Sequence, residues 1–97
     1  MPDFYSGEFG VDARLRVTMP FSAVGQTVAL EMRPAGNGPA VVWTPETIAA
    51  GYVEYTLADG DLPSGYGGTW HGTVRVTAAG DAAERLATFS FTVEDPV

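Results

Sequence analysis

The residues that could take part in catalysis are few and far apart along the chain. His71 is the only histidine, there is no cysteine, and the serine considered as a nucleophile is Ser64, in the turn sequence Pro-Ser-Gly. A nucleophilic serine needs a base within reach. Such a serine often lies on a strand-to-helix elbow with the sequence Gly-x-Ser-x-Gly, and this elbow is missing around Ser64. A lone histidine without partners is typical of a surface position. The sequence therefore predicts a protein that is not an enzyme and has no catalytic residue.

Acidic side chains in two turn regions raise the question of a metal site. These residues are Asp59, Asp61, Asp81 and Glu84. Calcium takes about six to eight oxygen ligands, and an EF-hand loop spreads them over about twelve residues, a pattern that this spacing does not follow. Aspartate and glycine are also favoured in β-turns for local backbone reasons. We therefore expect acidic turns without an ion, and neither a metal site nor a cofactor site.

Aromatic side chains could instead form a flat platform for a sugar. The candidates are Trp43, Tyr52, Tyr66 and Trp70. Trp70 alternates in step with Val74 and Val76, which predicts a core position, whereas Tyr52 and Tyr66 are better candidates for exposure. Core or interface packing is the favoured interpretation, and glycan binding stays open as an alternative.

The charge balance excludes some partners and indicates others. Twelve acidic residues oppose five basic ones, which gives a net charge of −7. Such a surface repels nucleic acids and anionic membranes. Arg14 and Arg16 are neighbours on one strand face, where they could dock an acidic neighbouring subunit, because arginine is enriched at interface hot spots. A solvated strand face is the alternative for this pair.

A period of two in the hydrophobic pattern predicts the elements that must position these residues. Six strands are expected, at residues 11–18, 27–33, 41–44, 52–57, 69–77 and 85–94, and a seventh is allowed within residues 4–10. Val11 is expected to face inward with the first strand. Residues 45–51 fit either a single helical turn or a loop that crosses between two sheets. Gly72, among large neighbours, indicates a bulge or the close passage of another strand or side chain.

Short strands separated by turns predict an all-β fold, a small antiparallel Ig-like β-sandwich of six to seven strands. A small barrel is the main competing fold. The 97 residues suit one domain, 1–97. The start has neither a signal peptide nor an apolar run that could span a membrane, so we expect synthesis in the cytoplasm without a targeting signal.

Several segments carry a recognisable order. Residues 4–10 place aromatics around a Gly and an acid before the first strand, residues 27–34 end a strand in Arg-Pro, and residues 59–63 form an acidic turn before Gly68-Thr69-Trp70. Together with the strands at 74–77 and 89–94, this order resembles short bacteriophage virion domains, of the type found at the N-terminus of baseplate upper proteins. The resemblance spans nearly the whole chain.

The resemblance implies a non-enzymatic structural component of a tailed-phage particle, in the tail, baseplate or neck. Its expected location is the virion, and its expected partners are other virion proteins, with a homo-oligomeric ring as a further option. A carbohydrate-binding accessory module and a capsid decoration protein are the alternatives.

Large aromatics and glycines in residues 1–10 suggest an N-terminal arm that adds a strand to a neighbouring subunit. The protein-interface residues proposed from the sequence are Phe4, Tyr5, Phe9, Arg14 and Arg16.

Overall fold

Eight β-strands make up the regular structure of the chain. The computed structural model describes residues 2–77 and 84–95. The strands are β1 (Phe4–Tyr5), β2 (Arg14–Thr18), β3 (Thr27–Arg33), β4 (Val41–Trp43), β5 (Thr47–Ala49), β6 (Tyr52–Thr56), β7 (Gly68–Thr77) and β8 (Glu84–Glu94). No helix occurs in the described residues, and none of them forms a segment of the length and apolarity that would let a helix cross a membrane.

The strands form two separate sheets. The larger sheet has the order β1-β8-β7-β3-β4, and the smaller has the order β2-β6-β5. All neighbours are antiparallel except β1 and β8, which run parallel with Phe4 beside Val93. The prediction of an all-β fold is confirmed. The expectation of six to seven purely antiparallel strands is wrong. The described residues form eight strands, and the first strand pairs in parallel with the last one, from the opposite end of the sequence.

The eighth strand comes from the segment for which a helical turn was one of two predictions. Thr47 pairs with Glu54 and Ala49 with Tyr52, so β5 forms a hairpin with β6. Gly51 closes its turn at a φ of 103°, in the left-handed region that favours glycine. The helical turn is therefore wrong. The predicted crossing between sheets does occur, because β4 and β5 belong to different sheets, but residues 47–49 form a strand and not a loop.

One hydrophobic core contains residues from both sheets. The alternation in β2, β3 and β7 buries every second side chain, as predicted. The largest fully buried side chains are Trp70, Leu30, Met32, Leu57, Leu62, Val53, Val74 and Val76. Val11 is an exception, since 73% of it is exposed. Its inward orientation is a wrong prediction, because β2 begins only at Arg14 and Val11 lies in the preceding turn.

Gly72 marks a close approach within the larger sheet. It lies directly opposite Phe89 in the β7–β8 pair. A Cβ atom at Gly72 would lie 2.8 Å or less from three carbons of the Phe89 ring. The ring of Phe89 therefore covers the backbone of β7 where a side chain is missing. This confirms the second of the two predictions for Gly72, the close passage of a side chain.

Asp95, near the C-terminal end of the described chain, forms hydrogen bonds with Ser6 near the N-terminal end and with Gly65. Its carboxylate accepts a hydrogen bond from the Ser6 hydroxyl and, at 3.2 Å, one from the Gly65 N–H. The Ser6 hydrogen bond, against an opposing effect of burial and with help from the Gly65 and Gly67 N–H groups, lowers the pKa of Asp95. These contacts stabilise the ionised carboxylate in the folded state.

We expect Asp95 to make the fold sensitive to acid. A carboxyl whose pKa is lowered by folding contributes stability above its unfolded pKa, and this contribution is lost as the pH falls through the folded value. The Asp95→Asn variant should therefore lose less of its free energy of unfolding than the parent chain between pH 7 and pH 3, in urea titrations at each pH. Equal losses in the two proteins would contradict this role.

Candidate docking site

The N-terminal residues proposed as interface residues differ in their exposure to solvent. Phe4 is only 8% exposed and packs edge-on against Phe91, with ring centroids 5.3 Å apart. Tyr5 and Phe9 are 44% and 55% exposed. The interface role proposed for Phe4 is therefore corrected, because alternation within β1 turns its side chain into the chain's own core. Tyr5 and Phe9 keep the surface position that such a role requires.

Hydrogen bonds tie the N-terminal segment to its own domain. The Asp3 N–H donates to the Thr92 carbonyl at 3.1 Å, the Ser6 N–H to the Glu94 carbonyl at 2.9 Å and the Gly7 N–H to the Leu62 carbonyl at 2.8 Å. The residues that were expected to add a strand to a neighbour thus add one to β8 of the same chain. An arm that reached another subunit would first have to break these contacts.

Arg14 and Arg16 lie on the exposed face of β2, as the alternation predicts. The Arg16 guanidinium lies 3.5 Å from the Glu54 carboxylate and 4.1 Å from the centre of the Tyr52 ring. Its charge is therefore partly balanced within the domain. No ion pair is found for Arg14 among residues 2–77 and 84–95, so Arg14 is the better candidate to meet an acidic partner.

A polar cleft lies beside these two arginines. It has a volume of about 380 Å³, and its lining includes Asp3, Asp12, Arg14, Arg16 and Ser90. The lining comes from β2, from β8 and from the segment around β1. Since β2 is an edge strand of the smaller sheet and β8 lies next to the short β1, two strand edges flank the cleft. The cleft therefore combines mixed charge with backbone groups that could bind another chain.

The outer face of the larger sheet carries an ion network. Arg75 donates to the Glu31 carboxylate at 2.8 and 3.0 Å and to the Glu84 carboxylate at 2.5 Å. These contacts connect β3, β7 and β8. All three side chains are about two-fifths exposed, at 37–42%, so water screens the network and it adds little to stability.

His71 lies on the same face, beside a depression of about 640 Å³ that Arg33 and Thr73 also line. The His71 side chain is exposed, as expected from its place in the alternation. The described part of the chain contains no group of three acidic or histidine side chains that could hold a metal ion.

The acidic turn at Asp59 and Asp61 has a structural role. Asp61 accepts hydrogen bonds from the Ala58 N–H at 2.8 Å and from the Tyr55 hydroxyl at 2.5 Å. Its carboxylate thus fixes the turn after β6. Of the other acidic residues considered, Glu84 pairs with Arg75, and Asp81 lies outside the described residues. Ser64 is exposed in a turn.

The tryptophans considered for a sugar platform belong to the core. Trp43 and Trp70 are 5% and 1% exposed, and their rings stack with centroids 6.1 Å apart. Trp43 also stacks on Tyr55 at 5.0 Å, which connects β4 of one sheet with β6 of the other. Tyr52 and Tyr66 are half-buried. The four rings therefore do not form one exposed face.

Tyr55 should make the stability of the fold depend on alkaline pH. Burial, the hydrogen bond to Asp61 and the nearby negative charges of Asp61 and Glu46 raise the pKa of Tyr55 above its ordinary value of 10. The raised pKa favours the neutral phenol, so stability is complete below about pH 10 and falls as the pH rises further. Urea titrations at pH 8 and pH 11 should show a smaller loss for Tyr55→Phe than for the parent chain. The same loss in both proteins would rule out this contribution.

Comparison with protein-family models and with curated proteins finds no relative of this chain. No model of a protein family matches the chain, and no curated protein matches it. The candidate site therefore rests on the geometry of the described residues. Sequence reasoning missed that most of β8 has, on one side, no partner strand among the described residues. The only signal for it is the shortness of the apolar pattern in residues 4–10, which is too short to cover a strand of eleven residues.

Proposed function

We propose that this chain is an Ig-like structural module of a tailed-phage particle, which docks to other virion proteins in the tail, baseplate or neck without catalysing a reaction. The order of the strands supports the Ig-like assignment. The set β8-β7-β3-β4 corresponds to G, F, C and C′ of an Ig domain, and the set β2-β6-β5 corresponds to B, E and D. The segments that resemble phage virion domains support the proposed location in a phage particle.

One observation carries the docking role. The core of the domain draws on both sheets, but the outer edge of β2, which carries Arg14 and borders the cleft, has no partner strand among residues 2–77 and 84–95. An unpaired edge offers backbone donors and acceptors to another chain, and an arginine near it can select an acidic segment. In a protein with a net charge of −7, this is a place where an acidic partner meets positive charge.

A charge reversal with a matched control tests this function in the particle. Arg14 and Arg33 are both exposed arginines on strands, but only Arg14 lines the cleft. Loss of an interface hot spot costs more than about 1 kcal/mol, so Arg14→Glu should reduce the amount of the chain in purified particles about fivefold or more. Arg33→Glu should leave that amount near the parent value, measured by mass spectrometry against the major capsid protein.

Each outcome of this comparison bears on the proposal. Equal incorporation of both variants would show that the cleft is not part of the interface. Absence of the parent chain from the particles would overturn the virion role, and glycan-dependent quenching of its tryptophan fluorescence would then support the carbohydrate-binding alternative.

A further inference from the structure

β8 presents the longest unpaired strand edge in the described part of the molecule. On one side it pairs with β7 from Glu84 to Val93. On the other side it pairs with β1, but only at Val93 and Glu94. The stretch from Glu84 to Ser90 therefore has no neighbouring strand on that side among residues 2–77 and 84–95. By comparison, the edge strand β2 has five residues, and β4 and β5 have three each.

The contacts of Asp3 show which backbone groups point outward from this edge. The Thr92 carbonyl accepts from the Asp3 N–H at 3.1 Å, and the Thr92 N–H donates to the Asp3 carboxylate at 2.9 Å. Both backbone groups of Thr92 therefore point away from β7. Because this orientation alternates along a strand, the same holds for Ser90, Thr88, Leu86 and Glu84. Asp3 caps the edge at Thr92, and in the described ranges no strand pairs with the outer side of these four residues.

We propose that the open edge of β8 binds the β8 edge of a second copy of this chain, antiparallel across a two-fold axis, with Ala87 opposite Ala87 of the second copy. In this register, Leu86 of each copy exchanges both backbone hydrogen bonds with Thr88 of the other. Glu84 does the same with Ser90. All four open residues are therefore satisfied, and two larger sheets become one continuous sheet.

Neighbouring registers fit less well. An axis through Thr88 would place Glu84 opposite Thr92, whose backbone groups are already bound by Asp3. An axis through Leu86 or through Arg85 would place Ser90 opposite position 82 or position 80, and both positions lie before the start of β8. The length of the open stretch, with its centre at Ala87, thus selects one register.

The facing side chains are compatible with this pairing. Arg85, whose guanidinium lies 5.5 Å from the centre of the Phe21 ring of its own chain, would lie opposite Phe89 of the second copy, and Glu84 would lie opposite Ser90. No like charges face each other. Leu86, which is 54% exposed, would gain cover from Thr88 of the second copy. The stretch 84–90 also contains no lysine, proline or glycine, residues with which proteins commonly protect an edge.

This pairing goes beyond the proposed function and can be tested on the purified chain. The chain has no cysteine, so Ala87→Cys introduces a single thiol. Directly opposite residues of a non-hydrogen-bonded antiparallel pair have Cα atoms about 4.5 Å apart, which lies within the range for a disulfide. Val42→Cys is the matched control, because Val42 is exposed on β4, at the opposite edge of the same sheet.

We expect Ala87→Cys to form disulfide-linked dimers at least about tenfold faster than Val42→Cys at the same protein concentration, because the pairing holds the two thiols within bonding distance. A second variant, Thr88→Pro, removes an N–H that points to the second copy and spares the bonds to β7. It should sediment as a monomer at concentrations where the parent chain forms a dimer, with an unchanged far-ultraviolet circular dichroism spectrum.

Cross-linking of Ala87→Cys no faster than that of Val42→Cys would overturn the proposal. So would a parent chain that remains a monomer at millimolar concentration. Neither result bears on the presence of the chain in phage particles, and absence from particles does not bear on this dimer. The two proposals therefore fail separately.

Discussion

Replacing Trp70 by alanine is expected to remove about 3–5 kcal/mol from the free energy of unfolding, the largest loss that we expect from one substitution. Trp70 is 1% exposed and stacks on Trp43 and Phe91 at 6.1 and 5.8 Å. Its Nε1–H also donates to the Tyr66 carbonyl at 2.8 Å, so alanine leaves both a cavity and an acceptor without its donor. A domain of this size has only about 5–15 kcal/mol in total, so the loss is a large share of its stability and the variant should unfold at a much lower urea concentration than the parent chain.

Urea titration followed by circular dichroism measures this loss without depending on tryptophan fluorescence. Trp70→Phe keeps much of the ring packing but loses the hydrogen bond, and it should fall between the parent chain and Trp70→Ala. Val42→Ala serves as a surface control, since Val42 is 63% exposed and should change the free energy of unfolding by no more than about 0.5 kcal/mol. A loss below about 1 kcal/mol in Trp70→Ala would contradict the assignment of Trp70 to the centre of the core.

The second large effect is expected at Gly72. The Gly72→Val variant would force a branched side chain into the ring of Phe89, and overpacking of this kind costs about 1–3 kcal/mol. The backbone of β7 cannot move away easily, because Met32 of β3 is its partner on the other side and the pairing with β3 continues along seven residues of β7. The variant should therefore unfold at a lower urea concentration than the parent chain.

A double-mutant cycle separates this steric effect from a general effect of valine in the strand. Removing the ring in Phe89→Ala leaves space above Gly72, so Gly72→Val should cost less in that background than in the parent chain. Residues in direct contact commonly show coupling of about 0.5–3 kcal/mol. Equal costs in both backgrounds would mean that Phe89 does not cover Gly72.

Much of the fold could be predicted from the sequence, because alternation reports directly which side of a strand is buried. Leu30, Val53 and Trp70 all occupy the core positions that their period of two predicts. The faces of β2 and β7 follow in the same way, and so does the exposure of Arg14 and Arg16. These predictions depend only on local pattern, which is why they succeed.

The parts that could not be predicted depend on pairing between distant segments. Asp3 and Thr92 are 89 residues apart in sequence, and no local pattern indicates that a two-residue strand will run parallel to β8. Thr47–Ala49 is too short to show a period, and Pro45 before it matches a helix start as well as a strand. The open edge of β8 was missed for the same reason, since alternation does not report which neighbour a strand has.

The candidate site could be predicted only in part. Arg14, Arg16, Tyr5 and Phe9 reach the surface, whereas Phe4 belongs to the core. The sequence could not show that Glu54 balances the charge of Arg16, because that contact requires the pairing of β2 with β6.

The most direct test of the proposed function is mass-spectrometric detection of this chain in purified phage particles, with its copy number relative to the major capsid protein. We predict a copy number between a few and a few dozen per particle, as expected for a component of the tail, baseplate or neck. Hundreds of copies would instead indicate a capsid decoration protein. Absence of the chain from the particles would contradict the proposal that it is a structural part of the virion.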